Sequence, residues 1–177
     1  NVTCNGAANG SVTFSASGGT GPYTYVVDGV TLPSNSANNL DIGPHSYLVI
    51  DSNGCTVSGS FTITEPTAVT SSLAITDVVC YGGSSGQLVV TAGGGTAPYT
   101  YSYDGAGYIS SNTKTGLSAG AHTVIVKDAN NCLKSTDYFV GQPTDIVVTK
   151  TVTNPSYTGA SDGSIALAIV GGTYPIV

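Results

Sequence analysis

Four cysteines carry the most specific chemistry in the chain: Cys4, Cys55, Cys80 and Cys132. None forms a Cys-x-x-Cys clip or a Cys/His cluster, so their spacing fits no zinc signature and points to disulfides. His45 and His122 each stand alone, with no cysteine or acid pair at catalytic spacing, and read as structural residues near strand starts. The turns Asp51-x-Asn53 and Asp128-x-Asn130 are calcium candidates, with Asp28, Asp104 and Asp137 as possible helpers, because calcium takes hard oxygen ligands. An Asx-capped turn accounts for the same residues with no ion. Tyr23, Tyr25, Tyr99, Tyr101 and Tyr103 would stack sugars if exposed, and would simply pack if they line strands. No Gly-x-Ser-x-Gly nucleophile elbow occurs, so no enzyme and no cofactor are expected.

These residues recur. Cys80 follows Cys4 by 76 positions; Cys132 follows Cys55, His122 follows His45, and Asp128 follows Asp51, each by 77. Gly18-Gly19-Thr20-Gly21-Pro22-Tyr23-Thr24-Tyr25 returns as Gly94-Gly95-Thr96-Ala97-Pro98-Tyr99-Thr100-Tyr101, and in degraded form from Gly171 to Val177. The offset changes between Gly105 and Leu117, which marks a one-residue insertion in a surface loop. A fixed period of this length means a repeat architecture. The expected units are 1–66, which lacks its first strand, 67–143, which is complete, and 144–177, a fragment.

A unit of this size buries only roughly 60% of its unfolded surface, so its core needs a staple. Four cysteines allow three pairings. The period makes pairing inside each unit the most economical, as Cys4–Cys55 and Cys80–Cys132, each stabilising by about 4 kcal/mol in the chain-entropy model. Disulfides imply an oxidising, extracellular location.

Composition excludes other classes. Charged residues are 8% of the chain, the net charge is −6, and the four basic residues are all lysines, so nucleic acid has no basic footprint to bind. No apolar run reaches the length of a membrane span.

The elements that must position these residues are strands. Ser11–Ala16 alternates polar and apolar residues, a Gly-Gly-Thr-x-Pro turn follows, and Tyr23–Val27 is the next strand. A looser stretch, 28–39 or 104–116, precedes a strong strand at Ser46–Ile50 or Thr123–Lys127. A tight turn and a last strand close each unit, and Glu65-Pro66-Thr67 or Gln142-Pro143-Thr144 joins it to the next. Six or seven short strands per unit predict an all-β fold: tandem immunoglobulin-like β-sandwich repeats forming an elongated rod.

The ordered pattern Cys…Gly-Ser…Gly-Gly-Thr-Gly-Pro-Tyr-Thr-Tyr…His-x-Val-x-Val-x-Asp-x-Asn-x-Cys…Pro resembles the SprB repeat of large surface adhesins of gliding Bacteroidetes. The chain departs from that family at Val27 and Tyr103, where a Trp is usual, and at His45 and His122, where a Tyr is usual. Tyr157 stands where the third unit's first cysteine belongs. The resemblance implies a secreted cell-surface protein, exported by the type IX system, whose repeats form a stalk or filament serving attachment or gliding. Implied partners are neighbouring repeats, other adhesin subunits and surface polysaccharide. The alternative is a carbohydrate-binding module. Strand donation between chains would repair both incomplete units; a piece cut from a longer chain is the plainer account.

Overall fold

The structure, a computed structural model, describes residues 1–173, and every described element is a strand or a turn. The closing Tyr174–Val177 of the third Gly-Gly-Thr copy lies outside the described residues. The strands are β1 (Gly10–Thr13), β2 (Thr24–Val27), β3 (Val30–Thr31), β4 (Ser36–Leu40), β5 (Gly43–Ile50), β6 (Thr56–Ile63), β7 (Thr70–Thr76) and β8 (Gly86–Gly93). They continue as β9 (Thr100–Tyr103), β10 (Thr113–Leu117), β11 (Gly120–Lys127), β12 (Leu133–Val140), β13 (Val147–Thr153) and β14 (Ser164–Val170).

Sheet order reproduces the sequence period. The first repeat has sheets β1-β4 and β3-β2-β5-β6; the second has β10-β8-β7 and β12-β11-β9; the third has β13-β14. Position by position, β1 matches β8 and β14, β4 matches β10, and β7 matches β13. The all-β, sandwich-like expectation is met, with antiparallel sheets and no closed barrel.

The looser stretch contains strands that its composition hid. Asp28-Gly29 and Asp104-Gly105 hold positive φ at both residues, 49° and 80° in the first pair and 51° and 76° in the second. Asp-Gly is the two-residue signature that turns a chain tightly back on itself. In the first repeat it joins β2 to β3, and β4 follows; in the second, β10 lies in the corresponding region.

Alternation along the strands builds the core. In the second repeat Leu88, Val90, Val124, Val126 and Val140 are fully buried. In the first, Val12 and Phe14, at the positions of Leu88 and Val90, are only half-buried. Spatially the chain falls into two compact units. One comprises Asn1–Ser71, Ala92–Tyr101 and Ile125–Ser135; the other comprises Ser72–Thr91, Ser102–Val124 and the chain from Thr136 onward.

Candidate functional site: the stapled turn

The turn after each long strand is built on one aspartate. Asp128 Oδ1 accepts from the N–H of Asn130 at 2.9 Å and of Cys132 at 2.8 Å, and Oδ2 accepts from the N–H of Thr96 at 2.8 Å. Asp51 repeats this with Asn53 (2.9 Å), Cys55 (2.8 Å) and Thr20 (3.1 Å). The Thr20 and Cys55 N–H groups hold the Asp51 carboxyl below its ordinary value, because they stabilise its charged form. Asn53 and Asn130 each donate to a threonine hydroxyl, of Thr20 (3.0 Å) and Thr96 (3.1 Å). The turn therefore clasps the Gly-Gly-Thr loop of its own repeat. Both oxygens of each aspartate are engaged by N–H donors, which is the Asx-turn arrangement. Among the described residues no three His, Cys, Asp or Glu side chains gather at one point.

The glycines of that loop are required by close approach. A Cβ on Gly95 would fall 2.6 Å from Asp128 Oδ2, and one on Gly94 only 1.9 Å from Ala68 O, at φ values of 56° and 65°. Gly95 N–H donates to Thr67 O at 2.8 Å, so the loop seats on the proline joint that precedes β7. The third copy has the same seat: Gly172 N–H donates to Thr144 O at 2.9 Å, and a Gly171 Cβ would meet Asp145 O.

The cysteines correct the sequence-based pairing. Cys4 is bonded to Cys132, 128 residues on, while Cys55 and Cys80 are exposed thiols. The expected Cys4–Cys55 and Cys80–Cys132 pairs are not formed. Economy within a period misled because the second-type cysteine lies beside the loop that seats on the preceding joint, where the first-type cysteine of the previous repeat lies. Asn130 Nδ2 donates to Thr3 O at 3.3 Å, beside the bridge. The staple thus joins consecutive repeats.

A second pair also recurs. His45 Nδ1 meets Asp28 Oδ2 at 2.7 Å and its Nε2 meets Asp41 O at 2.9 Å. His122 meets Asp104 Oδ2 at 2.8 Å and Ser118 O at 2.9 Å. Both partners of each ring are acceptors, so both ring nitrogens must donate and the imidazolium is favoured. The bond to aspartate, then the bond to the carbonyl, raises each histidine above its ordinary value. The His45 bond and the Ser46 N–H lower Asp28. For Asp104, burial pushes upward, and the Thr123 N–H and His122 reverse it. Asp28 and Asp104 are therefore histidine partners and not helpers of the Asp51 and Asp128 turns. His122 also stacks on Tyr138, whose burial pushes its hydroxyl up to about 12.

The tyrosines are mostly structural. Tyr101 and Tyr103 are buried, which removes them from a ligand-facing surface, and Tyr103 Oη donates to Ser111 O at 3.0 Å. Tyr23 and Tyr99 each donate to the carbonyl of the glycine five residues back, Gly18 and Gly94. Tyr25 is half-buried and stacks on Phe14 at 5.8 Å. Strand alternation alone does not separate these from solvent-facing rings.

The recurring cysteine, Gly-Gly-Thr loop and tyrosine strand lie together in two stretches, 1–32 and 72–107. Both match the family model of the SprB repeat. The chain is similar to the SprB repeat in these two places. SprB repeats are structural repeats found in cell-surface proteins, not an enzyme family. No curated protein matches the chain. Asp28 and Asp104 fall inside the two matches, whereas His45, His122 and the turns that bear Cys55 and Cys132 lie outside them. No described helix is long and apolar enough to cross a membrane.

Proposed function

We propose that this chain is a stalk segment of a secreted cell-surface adhesin, in which SprB repeats transmit length and mechanical load. The observation that carries this reading is the Cys4–Cys132 bridge between consecutive repeats. Such a bridge stops the first repeat from separating from the second under tension, a task suited to a tether and of no use to a catalyst. The repeated clasp of Asp128 on Thr96 and of Asp51 on Thr20 supports the same role, because it adds local resistance in every repeat. The role extends to attachment or gliding at a surface.

Pulling single molecules from their two ends tests the proposal. An oxidised chain should show a contour length shorter than the reduced chain by the segment enclosed in the bridge. Equal extension in both states would remove the mechanical role. In the source cells, deleting the repeats should abolish attachment, and protease added outside intact cells should cleave them. Direct polysaccharide binding is the second reading; it loses its main support with Tyr101 and Tyr103 buried, and an empty glycan array would end it.

A further inference from the structure

One long strand edge recurs in both repeats and has no part in the stapled turn. Among the described residues, β6 ends its sheet with β5 as its neighbour, and its counterpart β12 ends its sheet with β11 as its neighbour. The strand that precedes the second repeat, β7, pairs with β8 in the other sheet and leaves the β12 edge open. The strands that follow β6 leave the β6 edge open in the same way. The edge is thus covered neither by the strand that leads into a repeat nor by the repeat that comes after it.

An edge strand offers N–H and C=O groups to any strand able to pair with them. Asp51 N–H donates to Cys55 O at 3.0 Å, one step beyond the Ile50–Thr56 pair of the β5–β6 ladder. On the other side of β5, Asp28 N–H donates to Ser46 O at 3.1 Å. Bonding alternates along an antiparallel ladder, so the odd residues of β5 bond to β6 and the even ones to β2. On β6, Val57, Gly59, Phe61 and Ile63 therefore bond to β5, while the backbone groups of Thr56, Ser58, Ser60 and Thr62 point outward. Thr64 O, next in that outward series, accepts from Val2 N–H at 3.1 Å, and Gly141 O accepts from Val78 N–H at 3.0 Å at the same place in the second repeat. That contact closes the far end of the edge and leaves the stretch from Thr56 to Thr62 open.

The two edges differ in charge. β12 carries Lys134 and Asp137, and charged side chains on an edge strand discourage pairing with another chain. β6 has neither a charge nor a proline over its eight residues, and Thr56, Ser58, Ser60 and Thr62 are all exposed. The first repeat therefore presents an unguarded edge where the second presents a guarded one.

The side chains of that edge form a near palindrome about Gly59: Thr56-Val57-Ser58-Gly59-Ser60-Phe61-Thr62. Set antiparallel against itself, the strand places Thr56 opposite Thr62, Ser58 opposite Ser60, Val57 opposite Phe61, and Gly59 opposite Gly59. Hydroxyl pairs and pairs of an aromatic with a β-branched residue are both favourable across strands. The backbone agrees with this register. The Thr56–Thr62 and Ser58–Ser60 pairs fall where the outward N–H and C=O groups meet. The two Gly59 residues fall at a pair without hydrogen bonds, where Cα atoms approach to about 4.5 Å. Gly59 suits that approach, and the Tyr47 ring already lies where its side chain would be, with Oη 2.7 Å from a built Cβ.

We propose that β6 is a pairing surface for a second copy of this chain. The two β6 strands run antiparallel about a two-fold axis at Gly59 and join two four-stranded sheets into one continuous sheet. A two-fold interface uses the same patch on both partners, so it needs a patch that matches itself, and the palindrome is such a patch. The pairing closes on itself and stops at the dimer. It sets two chains side by side through their first repeats, a contact distinct from the bridge that links repeats within one chain.

The stalk reading predicts a bridge within the chain; the paired edge is a separate surface, and it can fail alone. The test uses the 177-residue chain carrying Cys55→Ser and Cys80→Ser, so that no exposed thiol can link copies. Sedimentation velocity should show a dimer that grows with concentration. In that background, Ser58→Lys with Ser60→Lys sets lysine against lysine across the axis and should leave only monomer. Ser58→Asp with Ser60→Asp should do the same. An equal mixture of the two should recover a heterodimer, because each lysine then faces an aspartate. Ser60→Pro removes an outward N–H and none that bonds to β5, and it too should be monomeric while its circular dichroism stays native. A background chain that stays monomeric at every concentration would overturn the proposal. So would a dimer that survives both charged variants, or folded lysine and aspartate variants that stay apart when mixed.

Discussion

His45 on β5 and Asp28 in the turn after the neighbouring β2 meet at 2.7 Å, and His122 and Asp104 meet at 2.8 Å in the second repeat. Each histidine ring gives its other nitrogen to a backbone carbonyl. The folded chain therefore holds both imidazoles charged at a higher pH than the unfolded chain does.

That relationship sets a pH dependence. A histidine raised in the folded state contributes stability that is complete below its unfolded value of 6.5 and is lost as pH rises through the folded value. A lowered aspartate contributes above its unfolded value of 3.8 and loses that contribution as pH falls through the folded value. Stability from the pairs should peak between those limits. Proton NMR of the two imidazoles should give midpoints above 6.5 in the native chain and lower ones in Asp28→Asn and Asp104→Asn. Midpoints at or below the ordinary value would contradict the double-donor geometry.

Asp128 holds three N–H donors and is 3% exposed; its loss leaves the buried Cys132 N–H without an acceptor and the partly buried Thr96 and Asn130 N–H groups only partly compensated by water. Asp128→Ala should destabilise by about 2–4 kcal/mol in denaturant unfolding, at ~1–3 kcal/mol for each buried group left unsatisfied. Asp51→Ala should cost less, because that site is half-exposed. Added calcium should leave the native melting temperature unchanged. A clear rise would show that the ion competes for these oxygens.

Tyr103 is buried and donates to Ser111 O at 3.0 Å, tying β9 to the segment before β10. Tyr103→Phe should lower stability by about 1 kcal/mol with the fold unchanged, the worth of one hydrogen bond. A variant equal in stability to the native chain would mean that the hydroxyl finds water as readily as the carbonyl.

How much of this was legible in the sequence depends on the range of the interaction. The period showed the repeat and, with strand alternation, the β class, because both are local patterns. The Asp51 and Asp128 turns were legible as Asx turns, since the bonds from Asn53 and Asn130 span two residues. The Asp28–His45 pair was within reach, as both residues recur together and Asp28-Gly29 is a turn signal, but the Ser- and Asn-rich stretch masked the strand that follows. The bridge was not legible. Cys4 and Cys55 share a period, and nothing in a period states which repeat's loop seats on which joint. That is set by Gly95 on Thr67 and by the carbonyl of Ala68, a contact that only the folded chain displays.

The bridge between repeats is the central claim, and it can be read directly. The monomeric native chain should be alkylated without reduction, digested, and its cysteine peptides identified by mass. The account predicts a Cys4–Cys132 peptide pair, with Cys55 and Cys80 both alkylated. Recovery of Cys4 with Cys55 and of Cys80 with Cys132 would contradict it, since each repeat would then be closed on itself and no disulfide would link one to the next.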